Sequence, residues 1–147
     1  MIESLSSRRL MRVLTALLHI AANEKPLSGR ALSERMQCPR RYLEADLQRL
    51  AKAGILESQR GAGGGYSLAM NPARISLYEV IQCLGDEQMM MGEDGCALLM
   101  DVVQPGLQAL MGEFQQRLSD LCLSEWLQRA EELGLVSAKR PTADFSI

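Results

Sequence analysis

A mainly α fold with one short β-hairpin is what this sequence predicts, on three observations. Apolar residues recur at helical spacing through most of the chain, beginning with Leu10, Leu14, Leu17 and Ala21. Strand-like residues interrupt that pattern once, as "ILESQR" and "YSLAM" on either side of "GAGGG". Lys and Arg crowd the first half of the chain, and Asp and Glu the second.

The 147 residues, 47% hydrophobic and 23% charged, suit one folded domain or a small domain with an appendage. No apolar run approaches the roughly 20 residues of a membrane-spanning helix. In "SRRLMRVLTALLHIAANEK" basic residues precede an apolar run, as in an export signal, but the four-three-four spacing belongs to an amphipathic helix. Cys38, Cys83, Cys96 and Cys122 stand far apart with no CxxC pair, which argues against a disulfide framework or a zinc site. A cytoplasmic location is the expectation. Residues 1–74 hold twelve Lys/Arg against six Asp/Glu, a balance of +6; residues 75–147 hold four against twelve, −8, which together make the chain's −2. That split points one half at a polyanion.

The first helix is expected from about Ser6 to Ala22, broken by "NEKPLS". Ser28 then caps a short helix, "GRALSERM", and "QCP" is a tight connection. Pro39 is expected as the first residue of a third helix, where its missing N–H is not needed. That helix carries Leu43, Leu47 and Leu50 as an apolar stripe and stops at Gly54. The glycines of residues 61–65 turn a hairpin. A phosphate loop would need GxxxxGK[ST] or GxGxxG between a strand and a helix, and here strand residues continue on the far side.

Ser76 and Glu79 form a capping box, with Ile75 and Val80 as its hydrophobic staple, and Gly85 ends the helix. "DEQMMMGEDG" is an acidic, Met-rich loop. Beyond it Leu99, Val103, Leu107, Leu110, Phe114, Leu118 and Leu121 repeat at heptad-like spacing, which predicts a long helix with an exposed apolar seam. Pro105 either kinks that helix or starts its main part. Ser124 is expected to cap a last helix that ends at Gly134. The expected organisation is thus a basic unit over 1–74, a linker helix, acidic loop and long helix over 75–135, and a flexible tail over 136–147.

Three helices with a short turn before the third, followed by a hairpin, outline a winged helix-turn-helix. Arg41, Glu44, Ala45, Gln48 and Lys52 share the polar face of the third helix, and Arg40 and Arg41 lie in its first turn, the end that enters a major groove. Arginine reads guanine bidentately, glutamate accepts from cytosine and glutamine pairs with adenine. Arg60 stands at the hairpin tip, where Gly63 and Gly64 let the backbone lie close to DNA and an arginine probes a narrow minor groove. Ser28 and Tyr42 complete the expected DNA-binding set.

The segment "YLEADLQRLAKAGILESQRGAGGGYSLA", with "ISLYEVI" behind it, carries a family resemblance. Over roughly residues 8–125 the chain resembles the Rrf-two (Rrf2) family, the IscR-, NsrR- and CymR-type bacterial winged-helix regulators. The resemblance implies a homodimer built on the long helix, through Leu107, Leu110, Phe114 and Leu118. It implies a pseudo-palindromic operator of double-stranded DNA, regulation as a repressor, base contacts near Arg40, Arg41, Tyr42, Leu43 and Glu44, and a wing arginine at Arg60. Ala45 stands where glutamine is frequent and arginine replaces a frequent serine, so the operator is not expected to be shared.

Cluster-binding members carry three cysteines in the loop before the long helix; this chain offers Cys96 there, with Cys83 on a helix and Met89, Met90 and Met91 between. An iron–sulfur cluster is therefore not expected, and no metal or other cofactor is. Cys96 is the candidate sensing thiol, although Glu93 and Asp94 beside it would raise its pKa. Cys83 is a second candidate, read first as a packed helix residue. The methionines are read as packing residues ahead of Cu(I) ligands, and His19 as structural. With one histidine there is no paired acid–base constellation, so no enzyme is expected. The preferred reading is a DNA-binding regulator governed by thiol oxidation, a small ligand or a partner protein. The alternatives are an iron–sulfur regulator with atypical ligands and a protein-interaction module of CymR type.

Overall fold

The computed structural model describes residues 8–85, 101–102 and 104–137. The expected acidic loop with Met89–Met91 and Cys96, the seam residues Leu99 and Val103, and most of the expected tail lie outside the described residues.

Helix α1 (Arg8–Ala22) opens the fold, and Leu10, Leu14, Leu17 and Ala21 are all buried along one of its faces. Helix α2 (Gly29–Met36) begins at the predicted cap, where the Ser28 side chain accepts the Ala31 N–H at 3.0 Å. Gln37 then turns the chain with φ 51°, a left-handed conformation that the sequence does not announce with a glycine. Helix α3 (Arg41–Lys52) starts two residues later than expected. Pro39 precedes its N-cap, Arg40, and contributes its carbonyl to the Tyr42 N–H at 3.1 Å, so the proline leads into the helix without belonging to it. The stop is as predicted. Gly54 takes φ 80°, and the N–H groups of Gly54 and Ile55 return to Ala51 and Leu50, the paired bonds of a Schellman end.

Strands β1 (Leu56–Gln59) and β2 (Gly65–Leu68) pair antiparallel, with Leu56 opposite Leu68 and Gln59 opposite Gly65. Tyr66 and Leu68 face the core at the two-residue period of a strand. A bridge from Leu27 to Tyr66, with N–H···O bonds of 2.9 and 2.7 Å, fastens the wing to the residue before the α2 cap. A Cβ on Gly65, at φ 145°, would collide with the Leu27 backbone, so that strand position is reserved for glycine.

A 3-10 turn (Pro72–Arg74) leads to helix α4 (Leu77–Leu84), which carries both halves of the predicted capping box and ends at Gly85. Ile75 and Val80, the expected staple, are both buried. Helix α5 (Gln104–Asp120) has Pro105 in its first turn, where its missing N–H is not needed. Helix α6 (Leu123–Glu132) is capped by Cys122, and Ser124 lies inside it, a correction with a clear cause. Backbone bonds from Leu123 to Ile75 and from Leu77 to Leu121, both 3.0 Å, pair this junction with the start of α4 and set the helix start by pairing rather than by a side-chain cap.

The core is assembled mostly before Gly85; among the described residues only Leu118 and Leu123 join it from beyond. Across α1 and α3 the Arg9 guanidinium donates to Asp46 through Nε at 2.9 Å and Nη2 at 2.6 Å, and Asp46 is the one buried charged side chain among the described residues. A carboxylate withdrawn from water needs such a partner, and this one pins the N-terminal helix to the third. Within the described residues no helix is long and apolar enough to cross a membrane.

Candidate nucleic-acid interface

The N-termini of α2 and α3 and the root of the wing converge on a polar cleft of about 240 Å³ lined by Ser28, Gly29, Arg40, Glu44, Gln59 and Tyr66, among others. Ser28 is occupied there as a helix cap. Gly29 is buried, and a Cβ on it would run into the Glu44 carboxylate. One oxygen of that carboxylate accepts from Arg40 Nε at 2.5 Å and the other from the Tyr66 hydroxyl at 3.3 Å. Glu44 therefore ties the wing root to the first turn of α3. Each Glu44 oxygen thus holds one donor from within the subunit, and each keeps a second lone pair. The pairing raises the Arg40 pKa above the ordinary arginine value, chiefly through its hydrogen bond to Glu44. Burial first, and the Glu44 charge second, push the Tyr66 phenol up and keep it a donor.

Outward from this clamp, Arg41, Tyr42, Ala45, Gln48 and Lys52 are exposed along α3. Arg41 Nη2 donates to the Tyr42 hydroxyl at 3.2 Å, and its guanidinium lies 4.9 Å from the Tyr42 ring centre. On the other side of the cleft Arg60 follows β1 and is exposed. Gly61 and Gly63 hold φ 97° and 76° in the turn, and a Cβ on Gly64 would strike the carbonyls of Gln59 and Gly61, so the tip is compact, with the Ala62 methyl its one side chain between Arg60 and Tyr66. The structure thus brings together a helix edge bearing Arg40, Arg41, Tyr42 and Gln48 and a wing bearing Arg60. The geometry suits backbone contact at the glycines and arginine insertion beside them.

Three contributors escaped sequence reasoning. Arg12 of α1 lies 5.2 Å from the Tyr42 ring centre. Asp46, on the inner face of α3, is the buried anchor for Arg9. Arg49 donates to the Leu84 carbonyl at 2.9 Å and so joins the third helix to the end of α4. Each pairing spans about thirty residues or more of chain, and no local spacing announces it.

In the second half, Leu118 is 4% exposed within its own subunit, which corrects its expected place on an open seam: α5 packs this end against α4. Phe114 is half-buried against the same core, Leu110 is 63% exposed, and the Leu107 side chain lies outside those described. Cys83 is half-buried in α4, where burial and then Glu79 push its thiol pKa up. That is the opposite of an activated thiolate. Cys38 sits in the turn before α3 and Cys122 at the start of α6. Among the described residues no three His, Cys, Asp or Glu side chains gather as a metal-ligand set.

A family model described as "Rrf2: Iron-dependent Transcriptional regulator" matches residues 6–129. The chain is similar to an HTH-type transcriptional regulator IscR of Aliivibrio salmonicida, 38% identical over 87 residues, 56% of this chain and 52% of that protein. It is likewise similar to an IscR of Escherichia coli O1:K1, 37% identical over 87 residues, 56% of this chain and 54% of that one. The matches thus span about half the length of these curated relatives. Among solved structures it resembles T. potens IscR with a TM-score of 0.70 and 26% identity, covering 90% of this chain and 92% of that one. It also shares the fold of CymR, the global cysteine regulator of B. subtilis, with a TM-score of 0.64 and 24% identity over 84% of this chain and 95% of that one.

Proposed function

This chain belongs to the Rrf2 family, and from that premise we propose that it is a homodimeric, cytoplasmic repressor that binds a pseudo-palindromic operator in double-stranded DNA. The observation that carries the reading is the exposed edge of Arg40, Arg41, Tyr42 and Gln48 beside the glycine-rich tip and Arg60, on the half of the chain whose charge balance is +6. The third helix reads base edges, the wing arginine enters the minor groove, and the Glu44 clamp holds the two at a fixed separation. Two-fold symmetry then sets half-sites one helical turn apart, roughly 34–36 Å. No enzymatic activity is part of the reading; its relatives are named as transcriptional regulators.

Control is assigned to thiol oxidation at Cys96, to a small ligand or to a partner protein, without an iron–sulfur cluster. The support is a ligand count: one segment with one cysteine does not supply the roughly four thiolates a cluster takes. Anaerobic purification followed by iron and sulfide analysis tests it, and stoichiometric amounts of both would overturn it. Genomic footprinting followed by fluorescence titration of the recovered duplex tests DNA binding. Affinity should fall steeply with salt as counterion release loses its drive, and Arg60→Ala should weaken the specific complex by about 1–3 kcal/mol without loss of fold. Salt-insensitive binding to a protein partner alone would favour the interaction module instead.

A further inference from the structure

We infer that Arg12, on α1, is a phosphate-contacting residue that extends the DNA interface beyond the helix-turn-helix and the wing; the inference rests on the DNA-binding reading above. Three observations meet at one side chain. The Arg12 guanidinium lies 5.2 Å from the centre of the Tyr42 ring, while that of Arg41 lies 4.9 Å from the same centre. Tyr42 is 47% exposed, so this pair of cations borders solvent at the leading edge of α3. Arg12 Nε is buried and has no hydrogen-bond acceptor among the described residues.

An arginine held in this way is unusual on electrostatic grounds. Two guanidinia sharing one aromatic ring repel each other, and the ring's attraction only partly offsets that repulsion at an exposed site. A buried guanidinium N–H without an acceptor adds a desolvation cost. The repulsion is offset when an anion lies beside the solvent-facing edges of the two cations, because a guanidinium fork matches the oxygens of a phosphate. Tyr42 is then the platform that holds the two forks in position. Arg8, one helical turn earlier and exposed, continues the track along the same face of α1. The anion in question is the sugar–phosphate backbone flanking the groove that α3 enters, since Arg40 and Arg41 adjoin it in the first turn of that helix.

A phosphate contact has a signature distinct from a base contact. It weakens binding to all sequences alike and lowers the dependence of affinity on salt. The test measures anisotropy of the full chain on its footprinted duplex and on an unrelated duplex across a salt series. For Arg12→Gln, affinity should drop about three- to tenfold on both duplexes, and the log–log salt slope should fall by about 0.9. Arg12→Lys should keep most of the slope, because a point charge still neutralises the phosphate. Arg129→Gln, the same charge change on α6, should alter neither. Thermal melting and sedimentation of each variant accompany the titrations. If Arg12→Gln does not fold, Arg12→Met, which keeps the apolar stem, replaces it. An unchanged slope in a folded variant would overturn the assignment, as would a loss confined to the footprinted sequence or a loss explained by dissociation of the dimer. If the wild-type chain itself binds no duplex in a salt-dependent way, the DNA-binding reading falls and this inference with it.

Discussion

Residues 8–84 and residues 104–137 treat their apolar side chains differently. In the first stretch the predicted stripes are covered: Leu10, Leu14, Leu17, Leu43, Leu47 and Leu50 are all buried, and Met11 and Tyr42 are the large apolar side chains left exposed. In the second, Leu118 and Leu123 are buried, while Leu110, Met111, Trp126, Leu133 and Leu135 stand in solvent. The charges divide the same way, basic against acidic. The winged helix closes its own core and presents cations, whereas the helices that follow bury fewer apolar side chains, with Leu118 and Leu123 deepest, and leave more apolar surface exposed. A closed basic core and an apolar, acidic stretch thus follow one another along one short chain.

The sharpest way to break that contrast is to remove one buried residue from the first stretch. Leu50→Ala takes a fully buried side chain from the face of α3 that packs on the core, and it should cost about 2–5 kcal/mol in urea unfolding followed by circular dichroism. A cost below 1 kcal/mol would mean that the core collapses around the gap and is looser than its burial indicates. Next in size is Gly65→Ala. With φ 145° and the Leu27 backbone in the way of a Cβ, the substitution should lose about 1–3 kcal/mol and loosen the wing, read as faster amide exchange at Leu27 and Tyr66. Protection equal to wild type at both amides would show that the bridge does not depend on that glycine.

Leu110→Glu sharpens the other side. Subunit stability at high dilution should stay within about 0.5 kcal/mol, because the side chain is already exposed, while self-association measured by sedimentation should be lost. An undisturbed dimer would move the interface away from this face of α5. The smallest effect is expected at His19, half-buried on α1, whose pKa is lowered first by burial and then by Arg35. The unfolded chain takes up the proton more readily, so wild-type stability should decline as pH falls from about 6.5 through the lower folded value. His19→Gln should flatten that decline, and identical pH profiles for the two proteins would remove the histidine as its source.

Much of the architecture was legible in the sequence. Helix ends, the capping box at Ser76 and Glu79, the hairpin around the glycines and the Gly54 stop are all decided by hydrogen bonds or backbone preferences that act within about five residues. Where sequence reasoning slipped locally, at Pro39 and at Ser124, a competing backbone contact moved the boundary by about two residues. The exposed members of the candidate site, Arg40, Arg41, Gln48 and Arg60, followed from helical spacing and from their place beside the turn.

What tertiary structure alone decided is which of these polar groups are already engaged. Tyr66 and Glu44 are 22 residues apart, Arg49 and Leu84 35, and Arg9 and Asp46 37, yet each pair is hydrogen-bonded. Arg12 reaches Tyr42 in the same way. The heptad pattern of α5 likewise announced an apolar stripe but not that Leu118 would turn into its own core while Leu110 stayed out. The reason is physical: a sequence fixes the period of a face, whereas the neighbour that covers it depends on how helices from distant parts of the chain pack, and a charged side chain takes its partner from that packing.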